Sequence, residues 1–141
     1  MILFLDTSAL VKLYLFETGS DLVRGHATQA EALMVSRIAW IEAHAAFARR
    51  SREEPGDIAA IEDAKKALRR DWGRYVVLDV DQELVELAAD YADTFALRAY
   101  DSMQLATAHR AAGIIAETIA FGCFDIRLNK AAKVLGMSLL V

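Results

Sequence analysis

Four acidic residues stand where a carboxylate needs explaining. Asp6 ends the apolar run "ILFL" (Ile2–Leu5) and is followed directly by Thr7 and Ser8. Glu42 lies in "SRIAWIEAHAAFARR", where helical spacing puts it on one side with Ile38, Ala45, Ala46 and Arg49. Asp101 lies in "RAYDSMQLATAHRAA" and shares a helical face with Leu105, Ala108 and Ala112. Asp125 closes "FGCFD", just beyond another apolar run. Each has an ordinary explanation. Asp6 and Asp125 suit helix caps. Asp101 with Gln104 three residues on reads as a capping box. Glu42 can reach water from the edge of its face, or Arg49 two turns away. Together they suggest something else. Two carboxylates about 4 Å apart repel by about 4 kcal/mol at an effective dielectric near 20, so three or four in one place call for a cation. Oxygen ligands with no histidine or thiolate cluster suit Mg²⁺, with Mn²⁺ the other candidate. Such an ion meets substrate phosphate, and the chemistry is metal-assisted hydrolysis of a phosphodiester.

Something must bring these acids together. The short apolar runs Ile2–Leu5, Ala32–Val35, Tyr75–Leu78, Thr118–Phe121 and Ser138–Val141 do not alternate with polar residues. They read as strands covered on both faces, as in a parallel sheet. Between them the pattern predicts helices over Ser8–Phe16, Ser20–Gln29, Arg37–Arg52 (capped by Ser36), Asp57–Trp72, Gln82–Leu97, Ser102–Ala112 and Ile126–Leu135. Strand and helix in alternation give an α/β fold with helices on both sides of the sheet. The two helices between the second and third strands exceed a single crossover and are expected to form an added arm. In such sheets the binding crevice lies beyond the carboxyl ends of the strands. The first strand ends on Asp6, the third on Asp79, and the fourth near Asp125. Ile2–Leu5 is expected to be the central strand, with Thr7 and Ser8 starting the following helix so that Asp6 is free for the site.

The remaining composition sets bounds. A length of 141 residues fits one domain, 1–141. No apolar run reaches membrane-spanning length, and the start lacks the basic segment of a secretory signal. The single cysteine, Cys123, allows no internal disulfide and suits a reducing cytoplasm; it reads as a small core residue rather than a nucleophile. A net charge of −4 argues against wide electrostatic contact with nucleic acid and leaves room for local contact only. Arg37, Arg49, Arg98 and Arg127 lie near the acids in sequence and are candidates for phosphate contact. His26, His44 and His109 show no metal-ligand spacing, and the last two read as helix-surface residues. Trp40, Phe47 and Trp72 are expected to pack against neighbours or a subunit interface.

The ordered pieces "FLDTSALVKLY", Glu42 after a serine-led helix start, "RAYDSMQLATA" and "FDIRLNKAAKVLG" resemble a PIN-domain ribonuclease over nearly the whole chain. Within that family they are most similar to VapC toxins of bacterial toxin–antitoxin pairs. The resemblance implies a three-layer α/β/α sandwich and a Mg²⁺- or Mn²⁺-dependent endoribonuclease, with RNA as substrate. Asp6, Glu42 and Asp101 would match the family's three main acids, with Asp125 as the fourth and Ser8 supporting the first. It also implies a homodimer and a cognate antitoxin whose tail covers the site. The usual Ser or Thr two residues before the fourth acid is replaced here by Cys123. An RNA-processing nuclease outside any toxin system is the nearest alternative. A receiver-like signalling domain is a more distant one; it would use Asp79 as phosphoacceptor, but Asp6 lacks the acidic neighbour that such a site needs.

Overall fold

The computed structural model describes all 141 residues. Strand β1 (Ile2–Leu5) leads into α1 (Thr7–Val11) and α2 (Ser20–Gln29). β2 (Ala32–Ser36) is followed by α3 (Ala39–Glu53) and α4 (Ile58–Asp71). β3 (Val76–Leu78) is followed by α5 (Gln82–Phe95) and α6 (Ala99–Ile114). β4 (Ile119–Gly122), α7 (Ile126–Val134) and β5 (Ser138–Leu139) close the chain. The five strands form one parallel sheet in the order β3-β2-β1-β4-β5, so β1 is central, as its continuous apolar character implies.

Alternation along β1 divides the core into two. Leu3 and Leu5 face α1 to α4, where Leu10, Val23, Phe47, Ile61 and Leu68 are buried with them. Ile2 and Phe4 face α6 and α7, packing with Met34, Leu105, Phe121 and Leu128. Phe4 and Phe121 sit in register on neighbouring strands with ring centroids 5.8 Å apart. Each fully buried Leu or Phe side chain contributes about 1.5–3 kcal/mol relative to an exposed one. The result is the expected three-layer sandwich.

Several expectations need correction. The α3–α4 pair is no detached arm, because Phe47, Ile61, Ala64 and Leu68 belong to the main core. The pair bridges β2 to β3 while covering the sheet. α1 is much shorter than Ser8–Phe16. After Val11 the amides of Leu13 and Tyr14 bond three residues back, tightening the chain into turns that send Tyr14 towards Tyr75 and Asp71. α3 starts at Ala39 rather than Arg37, with Ser36 ending β2 while its hydroxyl accepts from the Ile38 amide. His44 and His109 are half-buried. His44 packs on Trp40 and Phe47, and His109 bonds the Tyr91 hydroxyl. Trp40 meets Trp72 edge-on at 5.1 Å. No helix is long and apolar enough to cross a membrane.

The strand order also fixes where a site belongs. From β1 the chain passes to β2 and β3 on one side, and to β4 and β5 on the other. The switch point is therefore between the carboxyl ends of β1 and β4. Asp6 and Asp125 follow those two strands. Asp79, in contrast, follows the edge strand β3, is exposed, and pairs with Arg37 at 2.5 Å. A receiver domain would show the order 2-1-3-4-5, so that reading fails.

Gly122 holds the two central strands at this point. A Cβ there would stand 2.8 Å from the Phe4 carbonyl oxygen, and the Gly122 carbonyl accepts from the Asp6 amide at 3.0 Å. Gly122→Ala is expected to lower stability by about 1–3 kcal/mol through overpacking against backbone. Urea unfolding of the two proteins measures it.

Candidate active site

Asp6 is held from three directions. Its backbone leaves β1 in an extended conformation, and its carboxylate caps α1, with Oδ1 accepting from the Ala9 amide at 3.0 Å. Ser8 donates to the same oxygen at 2.6 Å, and the Ser8 hydroxyl in turn accepts from the Phe124 amide at 3.1 Å. Ser8 thus ties the end of β1 to the segment after β4. The expected division of labour, with Thr7 and Ser8 starting the helix for Asp6, is not what forms. Asp6 caps the helix itself and still presents its carboxylate to the cleft, because one carboxylate has more acceptor sites than a cap consumes. Burial dominates its electrostatics and raises its pKa from 3.8 to about 6, although Ser8, the Cys123 thiol and the Ala9 amide pull the other way. The Cys123 thiol is itself held well above its ordinary value, by burial first and by the Asp6 charge next.

Thr7 turns the other way. Its hydroxyl donates to Glu42 Oε1 at 2.8 Å, and Gln104 Nε2 donates to that same oxygen at 2.8 Å. Gln104 Nε2 also reaches the Thr7 hydroxyl at 3.2 Å. Glu42 is thus fixed from α1 and α6, not by Arg49. The capping box expected of Asp101 and Gln104 does not exist. α6 starts at Ala99, with Arg98 at the N-cap position making no side-chain capping bond, which leaves Asp101 as a first-turn acid and frees Gln104 for Glu42.

Asp101 is half-buried, and burial followed by the charge of Asp125 raises its pKa, while Arg98, 3.7 Å away, lowers it. Asp125 caps α7 through Oδ1 and the Leu128 amide at 2.9 Å, as its sequence context suggests.

Asp6, Thr7, Ser8, Glu42, Asp101, Gln104 and Asp125 line one cleft of about 290 Å³, with Arg98 and Tyr100 at its rim. All four acids singled out in the sequence therefore meet at the switch point. On one side the cleft opens into a groove of about 780 Å³ between α1, α3 and the start of α6, where Lys12, Arg49 and Arg50 stand. On the other side lies a smaller trough bordered by Phe124, Ile126 and Arg127. Arg49, Arg98 and Arg127 surround the acids, whereas Arg37 is turned away to Asp79. Sequence reading missed Gln104, Lys12 and Arg50. Lys12, one turn beyond Ser8, pairs with Glu17 at 2.9 Å.

The donor set can be tested against a hard divalent ion. Every side-chain donor at the cleft's centre is oxygen, and Arg98, the cation beside Asp101, is an exposed residue whose charge water screens. Burial first, and then a neighbouring acid, raises the pKa of Asp6 and Asp101, and a bound cation would favour their charged forms. No three of the chain's His, Cys, Asp and Glu side chains stand close enough to enclose one ion directly. An ion here would therefore be held by one or two carboxylates and otherwise through water, as Mg²⁺ allows. The residues fit such an ion.

Comparison with known proteins gives a consistent result. The PIN domain family model matches residues 3–134. The chain is 31% identical to ribonuclease VapC46 of Mycobacterium tuberculosis over 138 residues, spanning 98% of this chain and 95% of that protein. It is 30% identical to ribonuclease VapC49 of the same species over 107 residues, spanning 76% and 74%. Among solved structures, FitAB bound to an IR36 DNA fragment superposes with a TM-score of 0.64 at 18% identity, covering 99% of this chain and 93% of that one. A toxin–antitoxin complex from Klebsiella pneumoniae superposes at 0.56 with 16% identity, covering 85% and 84%. These two structures bear on the fold.

Proposed function

The chain belongs to the PIN-domain family, and from that premise we propose that it is a Mg²⁺-dependent endoribonuclease, the toxin of a toxin–antitoxin pair. The observation that carries the proposal is the meeting of Asp6, Glu42, Asp101 and Asp125 in one cleft at the β1/β4 switch point. The names of the relatives, ribonucleases over most of the chain's length, support the choice of RNA.

In this reading Asp6, Asp101 and Asp125 would hold the ion, partly through water, and Glu42 would ligate it or orient a water. Bound there, Mg²⁺ or Mn²⁺ lowers the pKa of water and neutralises charge developing on the phosphate. The chain's own contribution is to preorganise the acids. Ser8 and the Ala9 amide hold Asp6 in one orientation, so no rearrangement is needed when charge develops. Thr7 and Gln104 occupy Glu42 Oε1 and leave Oε2 to the cleft. Arg98, exposed at the rim, is placed to meet a neighbouring phosphate of the substrate. The flanking groove offers a seat for an antitoxin segment, with Val11, Leu15 and Ala46 at its base and Lys12, Arg49 and Arg50 along it. The toxin–antitoxin complex among the structural neighbours supports that partner. The working unit is a homodimer in the reducing cytoplasm. The test is incubation of purified protein with a single-stranded RNA in Mg²⁺ or Mn²⁺. Discrete internal cleavage products are expected, and RNA left whole under both ions would refute the proposal.

A further inference from the structure

α6 carries three buried polar residues among Met103, Leu105, Ala106 and Ala108. Two of them are satisfied within their own helix. The Ser102 hydroxyl donates to the Arg98 carbonyl at 2.9 Å, and Thr107 to the Met103 carbonyl at 2.6 Å. Gln104 alone leaves the helix. It is 2% exposed, lines the acidic cleft, and spends its amide group on Glu42 and Thr7, which come from two other elements. Its carbonyl oxygen Oε1 is buried with no hydrogen-bond partner in the protein. An apolar side chain of similar volume would fill this position without an unpaired acceptor, so packing does not account for glutamine here.

Resting on the nuclease reading above, we propose that Gln104 is a positioning residue. With Thr7 it locks one oxygen of Glu42 and so fixes the other towards the ion. The geometry is a closed three-membered arrangement. Thr7 Oγ1 donates to Glu42 Oε1, Gln104 Nε2 donates to the same atom, and Gln104 Nε2 also meets Thr7 Oγ1. Glutamate has three rotatable side-chain bonds. Two donors on one oxygen, one from α1 and one from α6, remove that freedom before metal or substrate arrives.

Gln104→Leu and Gln104→Met remove the donor while keeping the volume, so that one folded variant suffices. Each is expected to weaken Mn²⁺ binding, read by calorimetry on the protein without RNA, by about 10-fold to 100-fold. kcat on an RNA oligonucleotide is expected to fall by a similar factor, with KM within twofold and thermal stability without metal unchanged or raised. In a Glu42→Gln background the same change should have no further effect, because Gln104 acts through Glu42. Thr7→Ala should reproduce the loss and Thr7→Ser should restore it. Wild-type protein that binds Mn²⁺ and cuts RNA, beside Gln104 variants that do both equally well, would overturn the proposal alone. So would a full additional loss in the Glu42→Gln background. Wild-type protein that neither binds Mn²⁺ nor cuts RNA would instead overturn the reading on which it rests.

Discussion

Asp101→Asn is expected to lower the rate of RNA cleavage by about 10³-fold or more while leaving the fold intact. Asp101 sits in the first turn of α6 and makes no capping bond, so the helix does not depend on its charge. Burial and the Asp125 charge already disfavour that charge in the folded protein. Neutral asparagine therefore fits at least as well. In the proposed reading, what it removes is one of the carboxylates that would hold the ion. Losing several kcal/mol of transition-state stabilisation gives the factor, at about 1.4 kcal/mol per tenfold change. Single-turnover cleavage of a labelled RNA, with circular dichroism as the check on folding, measures it. Activity within tenfold of wild type would remove Asp101 from the site.

Asp6→Asn should do two things at once: abolish cleavage to a similar degree, and make the metal-free protein more stable. Asp6 is 4% exposed, and its pKa is raised from 3.8 to about 6. A group whose folded pKa is raised disfavours folding when it is ionised. The penalty is fully present above pH 6 and is relieved as pH falls from about 6 towards 3.8. Its size is about 3 kcal/mol. Asparagine keeps an oxygen for the Ala9 amide and for Ser8, and removes the charge. In chelator, near neutral pH, Asp6→Asn is expected to be more stable by about 3 kcal/mol at most. The gap should close as the pH approaches 4. Saturating Mn²⁺ should reduce or reverse it, since ion bound at 100 times its Kd stabilises wild type alone by about 2.7 kcal/mol. Urea unfolding at several pH values, with and without Mn²⁺, tests all three. A variant less stable than wild type in chelator would show that Asp6 serves structure more than the site.

Much of this arrangement is legible in the sequence, and the physical reason differs from residue to residue. Ile2–Leu5 is apolar at every position because both faces of β1 are covered, and only a central strand of a parallel sheet needs that. The carboxyl end of such a strand is where a crevice forms, which gives Asp6 its place. Asp125 can be placed in the same way, and its capping role is local enough to read directly. Glu42 and Asp101 are visible as acids on apolar faces.

What escapes the sequence is which of two local options a residue takes when a distant partner competes. Asp101 and Gln104 have capping-box spacing, but α6 begins three residues before Ser102, at Ala99, and Gln104 finds Glu42, 62 residues away in sequence. Thr7 and Ser8 are both good helix starters, yet one goes to Glu42 and the other to Asp6 and Phe124. Lys12 looks like an ordinary surface residue until the turns after α1 fold it back onto Glu17 and the Phe124 ring. These are choices between nearly equal local bonds, and tertiary contacts decide them.

In the proposed function the four carboxylates act as one metal site for cutting RNA. The most direct measurement is cleavage of a single-stranded RNA by one preparation of the wild-type protein, first stripped with EDTA and then supplied with Mg²⁺ or Mn²⁺. No cleavage is expected in chelator, and full cleavage is expected on return of either ion. Cleavage that continues undiminished in EDTA would contradict the proposed function.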